Sequence, residues 1–378
     1  MKTEININTD ILVWAITRAG YQLHEFAPKF PRILDWLDNK KTPTVKQLQD
    51  FSNKVHIPFG YLFLKEPPKE DIPFPFFRTG NTETTKVSLN VYETILIVQR
   101  RQDWLKEYLQ EHDFKALPFV GKFEEVNDYL KIVEDIRSTL GLENDWASNF
   151  KRYEDTLEFI TQAIEEIGII VNFNSIVENN TSRPIKVEEC RGFVLVDDIA
   201  PFMFINSADG KAAQLFTIIH ELAHIWTGKS AGFDFRQLLP ANDPIEQLCD
   251  KVAAEFLVPA ESFNAIWQVK PDIIYIAKHF KVSPIVVARR ALDLSKITKP
   301  AFFQFYNSYV SEVKFRKENQ KGGGDFYATQ KKRLSLSFAA HVDRAVKEQS
   351  LLYRDAYKIT GLRGETYQNF INQKLYSN

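Results

Sequence analysis

Residues 214–227, Gln-Leu-Phe-Thr-Ile-Ile-His-Glu-Leu-Ala-His-Ile-Trp-Thr, constrain the chain more than any other stretch. They contain His220-Glu221-Leu222-Ala223-His224, the H-E-x-x-H spelling. Residues four apart on a helix share a face, one turn above the other, so His220 and His224 can offer two imidazoles to one metal ion. Glu221, on a neighbouring position of the same turn, can reach a water at that metal without being a ligand. A zinc ion acidifies such a water, and a carboxylate there can take its proton. The flanks Phe216, Ile218, Ile219, Leu222, Ile225 and Trp226 predict a helix buried on most sides. Buried imidazoles and carboxylates need partners. A metal is one such partner; core hydrogen bonds and a salt bridge to Glu221 are the other.

A third ligand is offered downstream by Glu246-Gln-Leu-Cys-Asp250-Lys-Val-Ala-Ala-Glu-Phe-Leu-Val-Pro259. Asp243-Pro244 opens this expected helix and Pro259 closes it. Glu246 and Asp250 are again four apart. Zinc sites of the His, His, Glu type take one carboxylate as ligand, and a further acceptor receives the other ring N–H of a ligand histidine. Glu246 suits the first role and Asp250 the second. The competing reading pairs both acids with lysines such as Lys229 or Lys251 on a solvated face, against which stand the apolar neighbours Leu248, Val252, Ala253 and Phe256.

With both helices in view the chain resembles the ImmA/IrrE zinc metallopeptidases. The resemblance rests on Phe216-Thr-x-x-His-Glu-x-x-His224, on Glu246…Ala253-Ala254-Glu255-x-Leu-x-Pro259, and on the preceding Arg191-Gly192-Phe193 and Pro201-Phe-Met-Phe-Ile-Asn206. It implies a gluzincin-like site with Zn²⁺ held by His220, His224 and Glu246, and Glu221 as catalytic base. It also implies limited endoproteolysis of a regulatory protein, a repressor or an antitoxin-like partner. One position departs: Asp250 stands where Asn is expected in this family, although Asp is what other gluzincins use there. The alternative function is a non-catalytic, zinc-stabilised transcriptional regulator or antitoxin-type binding module.

The chain of 378 residues, 44% hydrophobic and 26% charged, suits an ordinary globular protein of two or three domains. A net charge of −1 supplies no global attraction to nucleic acid or anionic lipid. Two cysteines, Cys190 and Cys249, exclude a disulfide framework. With no apolar signal segment and no apolar run approaching ~20 residues, a cytoplasmic protein without membrane contact is expected.

The expected fold class is α+β and predominantly helical: a gluzincin-like core with a small β-sheet, flanked by helical N- and C-terminal domains. The expected divisions are 1–64, 65–152, 153–295 and 296–378. Residues 9–64 resemble a degenerate Xre-type helix-turn-helix in Pro43-Thr-x-x-Gln47-Leu48 and Ile57-Pro58…Tyr61-Leu62-Phe63-Leu64. The segment that should carry a recognition helix is short, interrupted by Pro28 and Pro31, and offers only Arg32, Asn39, Lys40 and Lys41 to a groove, where DNA contact needs side chains aimed at base edges. Residues 65–80 read as a proline-rich connector pinned along a surface, and 88–112 as an amphipathic helix whose Arg100 and Arg101 face solvent or ion-pair partners.

Helices around 123–141 and 151–167 lead to short strands beginning at Gly168, Gly192 and Phe202, after which Ser207 or Asp209 can cap the metal helix. Such a sheet commonly offers an edge strand to an extended peptide. Residues 227–243 read as a loop beside the cleft. Residues 271–295 resemble a second helix-turn-helix with Arg289 and Arg290 at a basic tip. After an aromatic helix at 300–316, the turn Gly322-Gly-Gly-Asp-Phe-Tyr327, flanked by lysines and arginines, offers an anion-binding candidate and could place Tyr327 as substrate gate or oxyanion donor. Helices at 331–349 and 351–375 complete the reading.

Overall fold

The helix Lys211–Trp226 runs through the middle of the largest hydrophobic core, with every residue from Gln214 to Trp226 buried. The computed structural model describes residues 7–69, 76–78, 88–126, 128–234, 243–318 and 333–376. The chain divides into two compact units, residues 1–73 with 86–93, and residues 74–85 with 94–378.

In the first unit, α1 (Thr9–Arg18), α2 (Leu23–Phe26), α3 (Arg32–Leu37) and α4 (Val45–Val55) enclose Ile11, Leu12, Ala15, Ile16, Phe26, Ile33, Trp36, Leu48 and Phe51. The side chain of Asn8 caps α1, and Thr44 with Gln47 forms a capping box on α4, so local chemistry fixes both helix starts. The segment expected to carry a recognition helix holds α3, six residues long, with Ile33 and Trp36 in the core. Lys40 and Lys41 sit 2.6 Å from Asp38 and 2.8 Å from Asp35.

The second unit carries a five-stranded sheet. Its strands are β1 (Phe76–Arg78), β2 (Ile170–Asn174), β5 (Gly192–Leu195), β6 (Phe202–Asn206) and β7 (Ala231–Asp234); β3 (Ile176–Val177) and β4 (Asn180–Pro184) form a separate hairpin. The order is β1-β7-β5-β6-β2, with β5 antiparallel to both neighbours and the outer pairs parallel. Strands β5 and β6 are buried along their whole length. On one face lie α7 (Tyr153–Glu166) and α8 (Lys211–Trp226). On the other lie α5 (Leu89–Glu111) and the helix Leu336–Lys347: Phe338 meets Phe202 and Trp104 edge-on, and Gln102 donates to the carbonyls of Leu195 and Ala200 at 2.8 Å.

Four expectations change. The connector contributes β1 and the loop after α8 contributes β7, paired as Phe77 with Phe233. Arg101 is buried instead of solvated: its Nε donates to Ile359 O at 2.9 Å and its guanidinium reaches Thr360 O, satisfying carbonyls that the helix Tyr353–Thr360 leaves open at its end. The helix expected over 351–375 breaks into Tyr353–Thr360 and Gly364–Leu375, because Gly361 takes φ +73 and stops the first. The expected helix at 123–141 starts only at Tyr129, where Asp128 caps α6 (Tyr129–Leu140). Among the described residues no helix is long and apolar enough to cross a membrane.

Candidate metal centre

Neither Ser207 nor Asp209 caps α8. Gly210 is the N-cap and gives no side-chain bond, while Gln214 reaches back to the carbonyls of Ser207 and Asp209. Asp209 instead meets Arg191 at 3.2 Å. At its other end α8 is fixed by the segment 117–126. Gly121 and Phe123 donate their amides to the carbonyls of Ile225 and Trp226 at 2.9 Å, and Phe119 stacks on Trp226 at 4.5 Å. Helix α9 (Pro244–Leu257) begins and ends as its sequence predicts, with Asp243 accepting from the amides of Ile245 and Glu246. Thus α8 and α9 lie side by side, α8 pinned at its end by the distant segment 117–126 and α9 at its start by its own cap.

Their facing turns bring His220, His224 and Glu246 into one buried cluster. His220 Nε2 lies 3.2 Å from Glu246 Oε2, His224 Nε2 lies 3.2 Å from Glu246 Oε1, and the two Nε2 atoms are 3.2 Å apart. Tetrahedral coordination at ~2.0–2.2 Å sets ligand atoms about 3.3–3.6 Å from one another, close to this spacing. The donor chemistry agrees. Asp250 Oδ1 lies 3.1 Å from His220 Nδ1 and, being a carboxylate, accepts the ring proton there. That tautomer leaves His220 Nε2 with a lone pair facing a carboxylate oxygen. A cation between the two atoms, whether a proton or a metal ion, satisfies both.

The electrostatics run the same way. Burial lowers the proton affinity of His220, but its hydrogen bonds to Asp250 and Glu246 outweigh that and raise it to about 10. Burial raises Glu246, while His220 and His224 hold it below the ordinary carboxylate range. The cluster therefore draws positive charge inward.

Glu221 is fully buried, and neither carboxylate oxygen has a hydrogen-bond partner among the described residues. Burial first, with the nearby Glu246 charge, pushes its pKa well above the usual value, while His220 opposes the shift. Glu246 and Asp250 are both turned to the histidines, so the lysine-paired alternative for them does not hold. Cys249 is buried and free. Tyr327 and the glycine turn lie outside the described residues.

Residues 164–292 match the Peptidase_M78 family model, described as the IrrE N-terminal-like domain. The match supports the ImmA/IrrE resemblance and a metallopeptidase-like function for that part of the chain, which contains α8, α9 and the central strands. Residues 334–373 match a domain of unknown function, DUF8813. No curated protein matches the chain.

One residue of this centre was not singled out for a role by its sequence. Gly192, at the start of β5, lies so near α8 that a Cβ there would stand 2.6 Å from Thr217 Cγ2, 2.9 Å from Phe204 O and 3.3 Å from Glu221 Oε1. The signal was available, since a glycine within an apolar β-branched and aromatic run often marks a close approach of another element. The basic tip expected at Arg289 and Arg290 also changes character. Arg290 is buried, bonded to the Glu255 carboxylate and to Val258 O, and Arg289 meets Asp293 at 2.9 Å.

Proposed function

We propose that this chain is a zinc-dependent endopeptidase making limited cuts in a regulatory protein. His220 and His224 would hold the ion through Nε2, and Glu246 through its carboxylate; two imidazoles and one carboxylate form a donor set typical of hydrolytic zinc. When bound, the ion supplies Lewis acidity, polarising a scissile carbonyl and easing deprotonation of a water. Asp250 keeps the Nδ1 proton of His220 and so points the Nε2 lone pair toward the cluster. Glu221 takes the proton of the attacking water and returns it to the departing amine. Its burial raises its proton affinity, which suits a group that must hold a proton between two steps. A repressor or antitoxin-like protein as substrate rests on the family resemblance alone.

The observation carrying this reading is the Glu221 carboxylate. Buried carboxylates are ordinarily paired, yet this one has no hydrogen-bond partner among the described residues and lies within the field of His220 and Glu246, whose facing atoms stand 3.2 Å apart. The test is metal content and turnover together. Wild type purified without added metal should carry about one zinc per chain by mass spectrometry. Glu246→Ala should lose it, and Glu221→Gln should keep it while losing cleavage of the partner protein and any cellular phenotype. A wild type that takes up no zinc even after loading sinks the proposal, and an unaltered phenotype in Glu221→Gln sinks its catalytic part.

A further inference from the structure

A cavity of about 530 Å³ lies beside the ligand cluster, between α9 and α12 (Pro284–Asp293). Helix faces that meet inside a protein are usually apolar and closed. Here the two helices leave a gap and put charge on it: Asp250 and Lys251 from α9, and Arg289, Arg290 and Asp293 from α12, of which Arg290 is held by Glu255. The floor is apolar, formed by Phe216 of α8 with Ala254 and Val286. The volume is that of a small-molecule site.

The charges on the wall are not equivalent. Arg289 already has Asp293 at 2.9 Å. Lys251 is exposed and has no ion pair among the described residues. Asp250 is the carboxylate that accepts from His220 Nδ1 at 3.1 Å, and its side chain keeps 26% of its exposure. An occupant of the cavity therefore touches the group that orients His220 without entering the cluster itself.

We infer that this cavity binds a small amphipathic anion, an apolar or aromatic body bearing one carboxylate, sulfonate or phosphate group. Its charge meets Lys251 and Arg289, and its body lies on Phe216 and Val286. Binding tightens the metal centre, for two reasons of the same sign. The occupant excludes water from Asp250, strengthening its bond to His220, and it brings negative charge toward a cation site. Linkage then requires the metal to tighten the anion by the same factor. The coupling rests on the metal reading given above; the ligand class does not.

The probe is 1-anilinonaphthalene-8-sulfonate, which joins an aromatic body to one sulfonate, titrated into the full chain with and without zinc. The expected result is saturable binding at one site. It is weakened at least about tenfold by Lys251→Glu, which reverses the wall cation that has no ion pair among the described residues, and abolished by Ala254→Trp, which fills the floor. Lys251 is exposed, so its variant reports on the site even if the tryptophan variant folds poorly. With the probe saturating, zinc affinity measured by chelator competition rises several-fold, and zinc raises probe affinity equally. Binding at several sites, no saturable binding, or binding indifferent to Lys251→Glu overturns the site. Variant-sensitive binding with unchanged zinc affinity overturns the coupling. A chain that binds the probe as expected but never takes up zinc refutes the metal reading and leaves the anion site supported.

Discussion

Replacing Gly192 with alanine tests how closely β5 and α8 must approach. The backbone there lies outside the left-handed region, so the added methyl is opposed by space alone. Carbon atoms in good contact stand about 3.5–4.0 Å apart, and the new Cβ would be only 2.6 Å from Thr217 Cγ2. Relief requires the helix to move by about 0.9 Å or Thr217 to leave its rotamer. The second neighbour, Phe204 O at 2.9 Å, belongs to the backbone of β6 and cannot swing away. Overpacking of this kind costs ~1–3 kcal/mol, while removing a glycine from the unfolded chain returns ~0.4–1 kcal/mol. The net expectation is a loss of about 1–2 kcal/mol. It is read as a lower urea midpoint at unchanged slope in metal-free protein, followed through native-state exchange of α8 amides so that the N-terminal unit does not enter the signal. Thr217→Ser removes the clashing methyl and keeps the hydroxyl that donates to Ala213 O at 3.1 Å. In the double variant about 1 kcal/mol of the alanine's cost should return as coupling. A Gly192→Ala protein as stable as wild type, or two effects that simply add, would refute the argument from close approach.

Further outcomes follow from the same structure. Asp250→Ala removes the acceptor at His220 Nδ1 and should weaken zinc about 10–100-fold by chelator competition; unchanged affinity would mean that this bond does not orient the ligand. Glu165, half-buried on α7, has its pKa raised from 4.5 to about 6 by burial, against hydrogen bonds from Ser335 and the Val171 amide. The folded state thus holds this proton more tightly than the unfolded state, so the contribution of Glu165 to stability is fullest below pH 4.5 and declines as pH rises through about 6. Glu165→Gln should therefore gain about 1–2 kcal/mol over wild type at pH 7.5, after discount for partial exposure, and nothing at pH 4.5. Urea midpoints at the two pH values decide it, and a difference independent of pH would contradict the assigned cause.

The features read correctly from the sequence are those whose causes are local. Helix α9 begins at Asp243-Pro244 and stops before Pro259 because capping and the missing proline N–H act within a few residues. The two histidines share a face of α8 because of the helical repeat. That Glu246 meets them is not local, yet it was legible, because acids at helical spacing among buried apolar residues need partners. Gly361 was also a local signal, overlooked because the periodicity on either side ran continuously through it. The remaining features depend on distant chain. Arg101 reads as half of a basic pair on a long helix, and nothing beside it announces the open carbonyls of Ile359 and Thr360 that make its burial tolerable.

Strands β1 and β7 make the same point with more consequence for the site. Each is three or four residues long, set in text dominated by proline, glycine and aromatics; β1 is a strand because β7 supplies its hydrogen bonds, and β7 because β1 and β5 supply its own. Phe233 of β7 is the cross-strand partner of Gly192, the residue against Glu221. The edge of β5 nearest the unpartnered carboxylate is therefore already paired by the chain itself. If the proposed peptidase takes an extended substrate, that substrate has to join at β1 or β2, the outer strands of the sheet, or displace β7, a constraint that the H-E-x-x-H spelling alone does not contain.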